Sequence, residues 1–158
     1  MDRKTKAAGR FLLLLGLLAP AAPAWADPGC TGRPSDTRLY VRVENVRSSS
    51  GLMAVTLYGN NASKFLAKRG SLYVGRSPAH QGVTETCIFV PQPGIYAVAV
   101  YHDVDGNRKL NRNMIGFPTE PVGFSNNPNT FLGIPSFNAV RFAVRQSGQR
   151  ITVRLRNR

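Results

Sequence analysis

Apolar and polar residues alternate along much of this chain with the period of a β-strand. In LYVRVENVR (39–47), Leu39, Val41 and Val43 share one side, and Tyr40, Arg42 and Glu44 the other. That is the pattern of a strand with one face buried and one in water. SSSG then reads as a turn and LMAVTLYG, from Leu52, as a returning strand, so this pair is expected to form a hairpin. VTETCIFV (83–90) is a further strand, PQPG turns the chain, and IYAVAVYH (95–102) follows. The last segment is apolar on both faces, which places it in the middle of a sheet. AVRFAVR (139–145) and ITVRLR (151–156), joined around QSGQ, close the chain.

Six such strands with almost no helix predict an all-β fold. An immunoglobulin- or transthyretin-like Greek-key β-sandwich is the first expectation, and a small barrel the second. Between residues 60 and 82 the period weakens. NASKFLAKRG reads there as one short helix, with Asn61 or Ser63 as its N-cap and Gly70 as its stop. From Asp103 to Asn138 the period disappears, in a stretch rich in Gly, Pro and Asn. Connections this long inside a compact domain are uncommon and are usually functional or disordered. Phe117, Phe124, Phe131 and Phe137 argue against disorder. The echo of IGFPT (115–119) in LGIPS (132–136), with VGFS (122–125) between them, suggests folded-back turns that dock apolar side chains onto the sandwich.

The first 26 residues change the picture of where the protein works. Arg3, Lys4, Lys6 and Arg10 precede an apolar run (11–22), and AWA (24–26) supplies the small residues of a cleavage site. This is the layout of a secretory signal, cleaved after Ala26. The run is too short for a comfortable membrane span, and no other segment is long and apolar enough for one. The chain therefore divides into a signal peptide (1–26), an N-terminal tail (27–38) and a β-sandwich domain (39–158), destined for the periplasm or the medium. In such an oxidising compartment, the pair Cys30 and Cys87 is expected to form a disulfide between the tail and a central strand. No Cys-x-x-Cys occurs, so redox chemistry and a zinc site have no support.

The formal charge of +13 stays strongly basic once the leader is removed. The arginines are spread along strands and alternate with apolar residues, as Arg154 and Arg156 do with Val153 and Leu155. A solvated strand face explains them without a polyanion partner. Export and the lack of a binding motif disfavour nucleic acid.

The candidate chemistry sits in YHDVDGNRKLNRN (101–113). Counted from Asp103, a calcium loop places oxygen ligands at Asp103, Asp105, Asn107, the Lys109 carbonyl and Asn111. The pattern then fails. Arg108 stands where glycine is needed, and Met114 where a bidentate carboxylate belongs. Asn113 or Glu120 can join only if the chain folds back. The competing reading is a turn system in which Asp and Asn side chains bond the nearby backbone. A hydrolase would use His102 with Asp103 or Glu120, but neighbours on a strand face opposite ways, and no Gly-x-Ser-x-Gly elbow occurs. No cofactor motif is present apart from this possible Ca²⁺ loop.

YAVAVYHD, then DGNRKLNRNMIGFPTEPVGFSNN, PSF (135–137) and the closing strands together resemble the bacterial exported proteins grouped as domain of unknown function 2141. The resemblance runs over residues 39–156. It implies a secreted or periplasmic β-sandwich and carries over no reaction. This chain departs from the family pattern at Arg108, where glycine is common, and at Asn111, where aspartate is common. Both changes weigh against cation binding. The reading that follows is a non-enzymatic module whose long loop recognises an envelope protein or glycan. Its expected contacts are His102, Asp103, Asp105, Asn107, Glu120, Phe124, Ser125, Asn126 and Asn127.

Overall fold

A computed structural model describes residues 29–130 and 133–156. The expected signal peptide and Phe131 lie outside the described residues. Among the described residues eight strands, two more than the six expected, form two packed sheets, so the chain is all-β as the period-two pattern predicts. The smaller sheet has the order β4-β1-β8, built from β4 (Gly82–Val90), β1 (Thr37–Val46) and β8 (Gln149–Arg154). The larger has the order β3-β2-β5-β6, from β3 (Tyr73–Pro78), β2 (Leu52–Tyr58), β5 (Gly94–Asp103) and β6 (Val122–Phe124). A short β7 (Phe142–Val144) pairs with the first residues of β5.

β1 and β2 do not form the expected hairpin. β1 pairs antiparallel with β4 and parallel with β8, while β2 lies in the other sheet between β3 and β5. The cause is local. The β1–β4 register shifts between Glu44 and Val46, and Asn45 takes a left-handed φ of 64°. Its side-chain amide donates to the Leu155 carbonyl, so the chain leaves the smaller sheet at this bulge. The following turn carries it across to the opposite layer.

Between the sheets lies the main core. Leu39, Val41 and Val43 of β1 meet Met53, Val55 and Leu57 of β2 and Val98 and Val100 of β5. A second apolar cluster lies on the outer face of the larger sheet, where Tyr58, Ala97 and Phe124 are covered by Phe65, Phe137 and Val140. The expected helix at 61–70 is only a 3₁₀ turn, Ala62–Lys64, capped by the Asn61 side chain on the Ser63 N–H at 3.0 Å. Leu66 and Arg69 have positive φ, which stops propagation and lets Phe65 reach the Tyr58 ring, 5.2 Å away between centroids. The strand expected at 139–145 starts late for a similar reason. Phe137–Val140 is a helical turn, α1, that buries Phe137 and Val140 in the same cluster.

Both lateral seams of the sandwich are stitched. On one side the Cys30–Cys87 disulfide is formed as expected. It holds Thr31 beside β4, where the Thr31 N–H donates to the Cys87 carbonyl and the Phe89 N–H to the Thr31 carbonyl. β3 crowds the same residue, for a Cβ at Gly75 would fall 2.5 Å from Thr31 Oγ1. On the other side, Val122 and Arg156 exchange both backbone hydrogen bonds between β6 and the chain just past β8. Here too a glycine permits the approach, since a Cβ at Gly123 would meet the Arg154 carbonyl at 2.7 Å.

Candidate functional site

β5 explains why a site forms. It is an interior strand of the larger sheet, and its outward residues Ala97, Ala99 and Tyr101 are apolar or aromatic. Apolar surface there must be covered, and the long excursion between β5 and β7 covers it. Up to Asn127 the excursion is tied down by side chains that the sequence marks as binders.

Ser125 is buried, and its hydroxyl accepts from the Val98 N–H at 3.0 Å and donates to the Val140 carbonyl at 2.6 Å. Asn126 and Asn127 both have left-handed φ. The Asn126 amide donates to the Arg141 carbonyl at 2.9 Å. That of Asn127 donates to the Thr152 carbonyl and accepts from the Arg154 N–H, standing in for a strand beside β8. All three side chains are thus engaged with the protein's own backbone.

The first part of the excursion is a self-bonded turn system. The Asp105 carboxylate accepts from the Asn107 N–H and from the side-chain amides of Asn107 and Asn111. The Asn111 amide, then the Asn107 backbone, hold its carboxyl below the usual range. Asn107 Oδ1 accepts from the Lys109 N–H, and Asn111 Oδ1 from the Asn107 amide. Arg108 takes the left-handed φ of 65° that a calcium loop gives to glycine, and its N–H donates to Asp103 Oδ2 at 2.8 Å.

Glu120 does fold back. It is buried, with Oε1 accepting from the Val104 N–H at 3.1 Å and Oε2 from the Asn111 N–H at 2.9 Å. One carboxylate oxygen each from Asp103, Asp105 and Glu120 lies within 4.8 Å of the other two. Of the five residues expected around an ion, the structure therefore brings Asp103 and Asp105 together with Glu120, while the oxygens of Asn107 and Asn111 satisfy local donors.

His102 continues the inward series of Tyr96, Val98 and Val100. It is fully buried, with Nε2 2.8 Å from the Ser50 carbonyl. Asp103 faces the other way, under the excursion. The two do not converge on one cleft, as the alternation of a strand requires.

What the excursion does enclose is an open cleft of about 380 Å³. Thr56, Ala99, Tyr101 and Phe124 form its floor on the sheet, and Leu66, Leu110, Phe117 and Ile134 its walls. Arg112 and Arg156 stand at its polar side, the former with one guanidinium N–H on the Gly116 carbonyl at 2.8 Å. Phe117 and Ile134 remain largely exposed, as does Ile115, which also lines the cleft. The phenylalanines thus divide their work. Phe124 and Phe137 anchor the excursion, whereas Phe117 faces the cleft. Of the nine residues read from the sequence as binders, only Phe124 lines it. Tyr101, Leu110, Arg112 and Ile134 were not read as binders; the available signals were the apolar outer side of β5 for Tyr101 and the LGIPS echo for Ile134.

No helix among the described residues is long and apolar enough to cross a membrane. No curated protein and no solved structure was found to match this chain. A family model does match over residues 41–152, which take in every strand of the smaller sheet in whole or part, β5 and the whole excursion. The chain belongs to the bacterial family described as "Uncharacterized protein conserved in bacteria (DUF2141)".

Proposed function

We propose that this protein is an exported binding module of the cell envelope, and that it holds a small amphiphile in the cleft beneath the excursion. The cleft itself is the observation that carries the reading. It is concave, walled mainly by apolar side chains, and of the size that small-molecule sites occupy. Two arginines on one side favour a ligand with an anionic end, since a guanidinium binds carboxylate or phosphate through paired, charge-assisted hydrogen bonds. An apolar wall of this kind suits an acyl or aryl body better than a glycan, whose hydroxyls need polar partners. The disulfide fits an oxidising compartment and so supports export.

Calorimetric titration with decanoate tests the reading. We expect saturable binding of one molecule per chain. Replacing Arg112 and Arg156 by glutamine should weaken it by about tenfold or more, the loss of roughly one charge-assisted hydrogen bond. Thr56→Phe, which fills the floor, should abolish it. Absence of saturable binding, or binding untouched by Thr56→Phe, would reject the cleft as the site.

A further inference from the structure

We infer that Asp103, Asp105 and Glu120 form a site for a hard divalent cation, calcium in the first instance, which clasps the two ends of the first half of the excursion. The inference is independent of what the cleft holds.

Asp103 is the last residue of β5, and Glu120 lies two residues before the start of β6. Their carboxylates meet that of Asp105 with one oxygen each inside a 4.8 Å span. Asp103 and Glu120 are buried, Asp103 completely. Like charges this close repel, and burial removes the water that would screen them. Among the described residues, no Lys or Arg side chain forms an ion pair with any of the three.

A second observation points into the cluster. Asp103 Oδ2 receives the Arg108 N–H, but Oδ1 is buried without any hydrogen-bond partner. An orphaned buried carboxylate oxygen carries its full desolvation cost. A divalent cation answers both problems at once, since it supplies the missing partner and offsets the shared negative charge. Hard cations take oxygen ligands, and calcium accepts irregular sets of six to eight completed by carbonyls and water. Asp105 is exposed, which leaves an open side for water to enter.

The backbone donors already on these carboxylates do not compete. The oxygens of Asp103 and Glu120 keep a lone pair each, as does Asp105 Oδ1, which accepts only the Asn107 N–H, whereas Asp105 Oδ2 is taken up by the Asn107 and Asn111 amides; hydrogen bonds from the Val104, Arg108 and Asn111 N–H groups fix the orientation of the ligands. The site is therefore no contiguous calcium loop. Its third carboxylate comes from the far end of the segment, so an ion here would lock residues 104–119 into the shape that walls the cleft.

The test is the thermal midpoint of the purified, disulfide-bonded protein in chelator and in millimolar calcium, with calorimetric titration of calcium alone and of magnesium alone. An ion that binds only the folded state must raise the midpoint. We expect a rise of several degrees and one strong site per chain. Asp103→Asn should lose the rise yet be at least as stable as the parent in chelator, because the substitution relieves repulsion where the ion is missing. Glu120→Gln keeps the shape and should also lose it. Asp105→Asn, at an exposed position, guards against misfolding of the buried variants and should lose most of the rise. Equal midpoints in calcium and chelator would overturn the inference. So would a calcium response that survives in all three variants, or only weak binding at many sites. A response to magnesium equal to that to calcium would overturn the assignment to calcium.

Discussion

The two outer faces of this sandwich are built on the same alternating pattern and end differently. On the smaller sheet, Tyr40, Arg42, Glu44 and Glu85 meet water directly. Arg42 bridges Glu85 at 2.8 Å and Glu44 at 3.3 Å, Arg154 reaches Glu44 at 3.1 Å, and Arg150 lies over the Tyr40 ring. The Arg154 and then the Arg42 hydrogen bonds hold the Glu44 carboxyl below its ordinary range. The basic excess here is spent within a solvated network. On the larger sheet the outward residues of β5, Ala97, Ala99 and Tyr101, are apolar or aromatic, and the excursion folds back to cover them incompletely. One face is finished by charge alone, whereas the other needs an ordered cover, and the cover leaves a cleft. The lesson is that a sheet whose outer face is largely apolar calls for a cover, and an incomplete cover leaves a cleft, while a charged face calls for neither.

The sharpest way to break this contrast is Phe124→Ala, which empties the buried cluster under the cover. It should cost about 3–5 kcal/mol in urea unfolding, while Tyr40→Ala on the charged face should cost less than about 1 kcal/mol. Ser125→Ala comes next. It strands the Val98 N–H and weakens the seat of Val140, and should cost about 1–3 kcal/mol. Such a loss would show that the cover is held by hydrogen bonds as well as apolar area.

Acid should act on the cover through Asp105, whose carboxyl is depressed in the folded state by the Asn111 and Asn107 hydrogen bonds. In its titration range the unfolded chain binds more protons, so this contribution is present above the ordinary aspartate value, about 3.9, and is lost as pH falls through the folded one. Thermal midpoints taken from pH 5 down to 3 should therefore fall more for the parent than for Asp105→Asn. The smallest effect belongs to Arg42→Ala. Exposed ion pairs contribute little, and its midpoint should match the parent within error at high salt.

The sequence revealed the strands that bury one or both faces, because period two survives there without help. β3 and β6 escaped notice for a common reason. Each carries a glycine, Gly75 or Gly123, at the point where the opposite sheet or the tail approaches too closely for a side chain. The glycine that makes the seam possible also erases the strand signal. The three clustered carboxylates were legible one by one, yet their convergence depends on the chain folding back at Glu120, just ahead of β6, which no local spacing encodes. In the same way Ser125, Asn126 and Asn127 were legible as important, but a polar side chain that staples backbone looks identical in sequence to one that meets a ligand.

The stitched seams have one more consequence. An unpaired strand margin is a template on which foreign chains can align and aggregate. The outward margin of β4 is occupied by Thr31, and that of β8 by Asn127 and Val122. The second cover is intrinsic to the fold, but the first is leashed through Cys30. Until the two thiols are oxidised, β4 offers that margin to any passing polypeptide, so solubility of this protein should track its oxidation as closely as its folding.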